Sequence, residues 1–245
     1  MGGLSHYLER AGLPTAGISL VRRQTEHIKP PRALAVDFEL GRPFGAPNEP
    51  VFQRRVLEAL LALFEAPEGP VLADFPDPPP GPPADLEGWS CPVNLAVGEQ
   101  DLDDDEGRFK ALAQEIELLR PWYDMAVSAR GRTTYGISGL EPADIARFMA
   151  DFIKDQNTPS PRPGIGVGQL LKWATDDLKA YYFEAAMARP GASSDVILAD
   201  WLWGETVCGR LFLELCEICA ASEDAMVKRL GDRSLVPHIQ AHRRA

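Results

Sequence analysis

The chain has 245 residues, 45% hydrophobic and 25% charged, which is enough for one large or two modest domains with a packed core. This composition excludes collagen, a coiled coil and intrinsic disorder as the class of the whole chain. No apolar run approaches the roughly 20 residues of a bilayer span, and the first residues lack the apolar core of a secretory signal. The 4 cysteines do not resemble a secreted disulfide framework. We therefore expect a cytoplasmic protein without a membrane partner.

The formal net charge of −11 is concentrated in the middle of the chain. Residues 66–106 hold 11 acidic and 0 basic residues, whereas both flanks are nearly neutral. Of the 22 prolines, 9 lie between Ala66 and Pro92, so this segment is predicted to be an extended acidic linker. Nucleic acid is not an expected partner, because its binding depends on clustered Lys and Arg side chains.

The first segment, residues 1–65, alternates predicted helices and strands. Short helices are predicted over LSHYLERAGL and RRQTEHIK, and strands over PTAGISL and ALAVDFEL. An amphipathic helix is predicted over VFQRRVLEALLALFE, with an apolar stripe of Phe52, Val56, Leu60, Leu63 and Phe64. Two strands do not make a stable open sheet alone, so this segment should lean on the helical segment, on a protein partner or on a second copy.

The third segment, residues 107–245, is predicted to be all-helical. Apolar residues recur at helical spacing along it, and the last long helix is predicted from about Ser194 to Ala220. Pro142 suits the first turn of a helix. The predicted fold class is α+β, with a small α/β unit of two or more strands (residues 1–65), a Pro-rich linker (66–106) and an all-α domain (107–245). The predicted stripes are Phe109, Leu112, Ala113, Ile116 and Leu119; Ile145, Phe148, Met149, Phe152 and Ile153; and Leu171, Ala174, Leu178, Tyr181, Tyr182 and Ala185.

Three stretches in the first segment carry a family resemblance: Ile18–Arg22, Lys29–Leu34 and Phe38–Pro43. With the residues around them, they resemble the C-terminal part of the glycine/sarcosine/betaine reductase selenoprotein B family, over about residues 1–65. The resemblance implies reductive cleavage by a reactive selenol or thiol, in a complex that passes electrons through thiols.

The family's cysteine or selenocysteine motif lies just upstream of the segment that matches Gly3–Gly12, and this sequence has no cysteine before Cys91. The chain is then a noncatalytic descendant, or its natural start lies further upstream, or another subunit supplies the missing half. The resemblance transfers no catalytic residue, and no cofactor or substrate is assigned. The leading hypothesis is an accessory, noncatalytic component of a reductase-like complex whose helical domain binds a partner. A self-sufficient reductase-like enzyme for a small anionic substrate and a zinc-binding interaction module are the alternatives.

The four cysteines offer two candidate sites. Cys91 is the one in loop-like sequence, which suits a catalytic or exchanging thiol, although its acidic surroundings would raise the pKa of the thiol. Cys216, Cys219, His238 and His242 form a weak candidate zinc set, with a gap between the pairs longer than usual. Core packing of Cys216 and Cys219, on one helical stripe with Cys208, and a redox CxxC are the competing interpretations.

Arginines and hydroxyls cluster in a predicted loop. Arg130, Arg132, Thr133 and Thr134 could bind a carboxylate or phosphate, or pair with acidic groups of the protein itself. Gly164–Gln169 precedes a helix and is interpreted as a flexible helix entry rather than a phosphate site. The aromatic and acidic residues of Asp200–Thr206, with Tyr181 and Tyr182, suit either a pocket or a packed core.

Overall fold

The computed structural model describes residues 2–38, 40–78, 105–188 and 194–244. The chain divides into two compact units, Met1–Pro82 and Pro83–Ala245. The first contains a small parallel sheet with helices, and the second is helical throughout its described part, which confirms the predicted α+β class. Cys91 and residues 79–104 of the predicted linker lie outside the described residues.

The α/β unit is built on three parallel strands. They lie in the order β1-β2-β3, with Gly17 opposite Ala33 and Arg32 opposite Val71. The predicted helices and strands of residues 1–65 are all present. The elements are α1 (Gly2–Arg10), β1 (Gly17–Ser19), α2 (Arg22–Ile28), β2 (Arg32–Ala35), α3 (Pro50–Ala62), a 3₁₀ turn (Leu63–Glu65) and β3 (Val71–Asp74).

Strand β3 lies inside the segment 66–106 that the sequence analysis assigns to a linker. The α/β unit therefore extends beyond residue 65. The reason is a short apolar run, Val71–Ala73, which pairs with β2 although the segment around it is rich in proline and acid. A strand of four residues is too short to show a recognisable alternation of apolar and polar residues within a segment rich in proline and acidic residues.

Helix α3 packs one face on the sheet. Phe52 and Val56 are buried against Leu34 and Val36 of the second strand and its extension. The predicted stripe on α3 is correct for Phe52, Val56 and Leu63, which are buried, but not for Phe64, which is 42% exposed. Leu63 and Phe64 lie in the 3₁₀ turn after α3, where neighbouring residues point about 120° apart, so Leu63 takes the inward position and Phe64 faces away.

The second unit is a bundle of helices around one continuous core. The residues of the three predicted stripes are buried or pack at the core's edge, with Ala113 partly exposed. Pro142 opens its helix as predicted. No helix in the described ranges is long and apolar enough to cross a membrane. The elements are α4 (Asp105–Arg130), α5 (Pro142–Lys154), α6 (Val167–Met187), α7 (Asp195–Glu205), α8 (Val207–Ala221), α9 (Ala225–Arg233) and a 3₁₀ turn (His238–Arg243).

The predicted single helix from Ser194 to Ala220 is wrong, because two helices, α7 and α8, occupy that stretch. They are separated by Thr206, whose backbone is extended at φ −97° and ψ 153°. Its hydroxyl accepts the Gly209 N–H at 2.9 Å and donates to the Leu202 carbonyl at 2.7 Å. Thr206 therefore caps the N-terminus of α8 while closing the last turn of α7.

Glycine allows α8 and α9 to approach closely. A Cβ on Gly231 of α9 would collide with the backbone of α8, at the Ala220 nitrogen and the Cys216 carbonyl oxygen. These are backbone atoms, so no side-chain rotation could relieve the overlap. The contact also lets the Cys216 thiol donate to the Gly231 carbonyl at 3.1 Å.

We expect Gly231→Ala to destabilise the protein by about 1–3 kcal/mol, because the added methyl group must push two helices apart. Urea denaturation followed by tryptophan fluorescence measures the change. Gly166→Ala, at the N-cap of α6, is the control, because no atom lies within 4 Å of a Cβ at that position, and it should cost less than about 1 kcal/mol. Equal, small effects of both substitutions would contradict the close approach.

Candidate functional site

The loop between α4 and α5 is attached to α6 by a buried carboxylate. Asp177 is 1% exposed, and its Oδ1 accepts the backbone N–H groups of Gly136 at 2.9 Å and Ile137 at 3.1 Å. Its Oδ2 accepts both the N–H and the hydroxyl of Ser138, at 2.8 Å and 2.5 Å. The side chain thus satisfies a run of successive backbone donors, which fixes the loop on the helix.

A second carboxylate, Glu184, holds the start of the same loop. Its Oε1 accepts the N–H of Thr134 at 2.8 Å and its hydroxyl at 2.7 Å. The Thr133 hydroxyl pairs with the Tyr123 hydroxyl at 2.9 Å. Although burial opposes ionisation, the Thr134 donors, with smaller contributions from Thr133 and Arg130, lower the pKa of Glu184.

The two threonines predicted to bind an anion therefore contact groups of the protein. The N–H and the hydroxyl of Thr134 donate to the Glu184 carboxylate. This contact supports the alternative interpretation, in which the cluster pairs with acidic groups of the protein itself. Arg130 and Arg132 are exposed, and the prediction that they bind a small anionic ligand stays a prediction. Both carboxylates lie at least 39 residues from the loop atoms that they hold, so local sequence spacing could not find these contacts.

The aromatic residues considered as pocket walls lie in the core of the helical unit. Tyr181, Tyr182, Trp201 and Trp203 are each at most 2% exposed. The Tyr181 hydroxyl donates to the Ile116 carbonyl at 2.8 Å, so its polar end is satisfied inside the bundle. These side chains pack on one another and on the helices, which favours the core interpretation over a pocket.

The three described cysteines are buried free thiols on α8. Burial raises the pKa of Cys208 and Cys216, and raises the pKa of Cys219 to about 12. The thiols are therefore protonated at neutral pH, whereas the thiolate is the form that attacks substrates and binds metals. This arrangement supports the core-packing interpretation of the CxxC.

The candidate zinc set is not brought together in the described part of the chain. No group of three or more His, Cys, Asp or Glu side chains there could hold a metal ion. The His242 Nδ1 lies 3.1 Å from the Ile239 carbonyl of its own turn, and the side chain of His238 is outside the described residues. The zinc interpretation therefore gains no support from these residues.

A shallow cleft of about 240 Å³ lies in the α/β unit, where the sequence analysis expected no site. It runs along β1 between α1 and α2, and Arg32 lies at its wall. Arg32 is paired, since it donates to Glu9 Oε1 at 2.8 Å and to the Ala66 carbonyl at 3.1 Å. The cleft is smaller than most ligand pockets and its cation is neutralised, which favours a protein contact over a small-molecule site.

The core of the helical unit contains one carboxylate that the sequence analysis missed. Glu115 of α4 is fully buried, and its Oε1 accepts the Val207 N–H at 2.7 Å. Its Oε2 accepts the Cys208 N–H at 3.1 Å and the Tyr182 hydroxyl at 2.9 Å. Burial raises the pKa of Glu115, although these donors and the charge of Arg210 oppose the shift. The sequence signal was available, because Glu115 interrupts the predicted apolar stripe of α4.

Comparison of the chain with protein-family models, curated proteins and solved structures finds no match. The resemblance of residues 1–65 to the selenoprotein B family therefore stays a prediction.

We expect Asp177→Ala to release the loop, because several backbone donors lose their acceptor. Trypsin should then cleave after Arg130 or Arg132 at least about tenfold faster than in the unmodified protein. The matched control is Asp176→Ala, which removes the neighbouring carboxylate that pairs with Lys172 and Lys179 on the helix surface. Mass spectrometry of the fragments measures both rates, and equal cleavage of the two variants would contradict the anchoring role.

We expect Glu115→Ala to destabilise the protein by about 3 kcal/mol or more, because the buried Tyr182 hydroxyl of α6 and the first two N–H groups of α8 lose their acceptor. Glu115→Gln keeps the volume and one acceptor, so it should cost less. Because the pKa of Glu115 is raised in the folded state, the contribution of Glu115 to the free energy of unfolding is lost as pH rises through that pKa. The stability gap between the unmodified protein and Glu115→Gln should therefore narrow as pH rises from about 4.3.

The exposed Glu117 on the same helix provides a control of opposite sign. Arg120 lowers the pKa of Glu117, so its contribution is lost as pH falls. The difference in the free energy of unfolding between the unmodified protein and Glu117→Gln should be small and should increase with rising pH. Urea titrations at a series of pH values measure both gaps, and parallel curves for Glu115→Gln and the unmodified protein would contradict the raised pKa.

Proposed function

We propose that this chain is a noncatalytic component of a thiol- or selenol-dependent reductase-like complex and that it docks to its partner through the α/β unit. The observation that carries the proposal is an apolar surface on the helices beside β1. Neither α1 nor α2 contains a buried residue. Large apolar side chains on these helices and their flanks are exposed to solvent. We call them the α1–α2 surface: Leu4, Tyr7, Leu13, Val21 and Ile28.

The sheet beside this surface is incomplete. Among the described residues, strand β1 pairs with β2 on one side and with no strand on the other, which leaves that edge of the described sheet open. Parallel sheets are normally buried under helices, and three short strands give little independent stability. A partner that covers the α1–α2 surface, or extends the sheet at β1, would bury apolar area that now faces water.

The helical unit, which is the partner-binding domain expected from the sequence, offers a weaker docking surface. Its core is closed by buried side chains from every helix of the bundle. Its exposed large apolar residues are spread over six elements and loops, with two of them, Leu118 and Met125, on α4, and scattered exposed apolar residues are common on monomers. They are Leu118, Met125, Ile137, Met187, Val196, Met226 and Ile239. We therefore propose the α/β unit as the docking site.

The assignment of the reactive thiol or selenol to the partner is supported by the state of the described cysteines. All three are buried with raised thiol pKa values, which makes them poor nucleophiles. The reductase class itself is taken from the resemblance of residues 1–65. A cytoplasmic location is part of the proposal, and the free thiols of α8 support it.

Affinity capture of the tagged chain from its native lysate, after labelling with iodoacetamide, tests the proposal. We expect a stoichiometric partner that carries an alkylated, reactive thiol or selenol. Combining Leu4→Glu with Tyr7→Glu should reduce recovery of that partner at least about tenfold, because charges would enter a buried apolar contact. The control combines Met125→Glu with Ile137→Glu, two exposed positions of the helical unit.

Three outcomes would contradict the proposal. The chain could be recovered alone, or with a partner that has no reactive thiol or selenol. The control variant could also lose the partner as completely as the Leu4/Tyr7 variant, which would place the contact elsewhere.

A further inference from the structure

Helix α3 and the 3₁₀ turn that follows it, Leu63–Glu65, have a second apolar face, on the side away from the one that packs on the sheet. Leu57, Leu61 and Phe64 are 42%, 51% and 42% exposed. An amphipathic helix at the surface of a monomer needs one apolar stripe, and Phe52 and Val56 already provide it. A second stripe on the solvent side marks a contact surface.

The outward residues follow the spacing of a two-helix seam. Arg54, Leu57, Leu61 and Phe64 are separated by three, four and three residues. This is the a-to-d spacing by which two helices pack side by side. With Glu65, these side chains form what we call the α3 seam.

The charges at the two ends of the seam are opposite. Arg54 lies near the N-terminus of α3, whereas Glu65 and Glu68 follow its C-terminus. All three are exposed, and no ion pair involves them in the described part of the chain. Arg55, in contrast, is paired with Asp77. Within the described ranges, the seam therefore has an unpaired cation at one end and unpaired carboxylates at the other.

This pattern is complementary to itself in one orientation. When two copies of α3 run antiparallel, with Leu57 of one packed on Leu61 of the other, Arg54 of each copy reaches Phe64 and Glu65 of the other. A two-fold axis generates both pairs, as an isologous contact requires. A guanidinium over an aromatic ring and beside a carboxylate is favourable on both counts. A parallel arrangement would instead place Arg54 against Arg54.

We propose that the α3 seam binds a second copy of this chain, in an antiparallel helix pair across a two-fold axis. This inference does not depend on the proposed function, because it uses a different element and no reductase chemistry. The contact spans about three to four helical turns. Such a small area gives a reversible dimer whose population depends on protein concentration.

Sedimentation velocity of the purified full chain, from low to high micromolar concentration, tests the inference. We expect the unmodified protein to shift from monomer to dimer over this range. Leu61→Glu should remain monomeric, because it places carboxylates in the centre of the seam. Leu4→Glu is the matched control: it adds the same charge to the α1–α2 surface and should dimerise like the unmodified protein. Circular dichroism spectra confirm that both variants are folded.

Charge exchange gives a test that does not disturb the apolar residues. Arg54→Glu and Glu65→Arg should each weaken the dimer about tenfold, because each creates like-charge pairs at both ends. The double variant carrying both substitutions restores opposite charges in the antiparallel pair. Its dissociation constant should return to within about threefold of the unmodified value.

Several results would overturn the inference. These are a monomer at all concentrations, a dimer that Leu61→Glu leaves intact, or a double charge exchange that fails to restore association. Loss of the dimer in Leu4→Glu but not in Leu61→Glu would move the self-contact to the α1–α2 surface. Capture of the reductase-like partner is a separate readout, so failure of either proposal is recognisable without the other.

Discussion

The helical unit is organised around one buried carboxylate. Glu115 of α4 accepts hydrogen bonds from the first N–H groups of α8 and from a tyrosine of α6. A charge in an apolar core is costly, but the N-terminus of a helix has unpaired donors and a positive dipole that offset much of this cost. The contact fixes where α8 begins, and α9 then packs on α8 through Gly231. The order of the bundle thus depends on a polar contact as well as on apolar burial.

The described part of the α/β unit has a less complete core than the helical unit. Its sheet has three short strands, α1 and α2 have no buried residue, and α3 has apolar side chains on two faces. Because side chains from every helix close the core of the helical unit, the exposed apolar area of the α/β unit is the stronger indication of binding. This physical contrast moves the proposed partner contact away from the helical domain.

The sequence predicted the parts of the fold that have a clear period. The stripes on α4, α5 and α6 repeat every 3.6 residues over several turns, so burial could be assigned correctly. The break between α7 and α8 at Thr206 was missed because apolar residues continue on both sides of it. Strand β3 was missed because the residues around it are rich in proline and in acidic side chains. Asp177 and Glu184 hold a loop that is far away in sequence, and no local pattern encodes such a contact. The exposure of Leu57 and Leu61 could not be predicted either, because a sequence shows which residues are apolar but not which of them other parts of the protein cover.

The two proposed contacts use different elements of the α/β unit, so neither contact occupies the residues of the other. The α1–α2 surface lies on the helices beside β1, whereas the α3 seam lies on the face of α3 that points away from the sheet. A dimer formed through α3 would present two α1–α2 surfaces. A partner with two matching sites would then bind with a higher effective concentration for its second contact, without any new interface. A weak self-association could therefore make a moderate docking affinity sufficient for a stable complex.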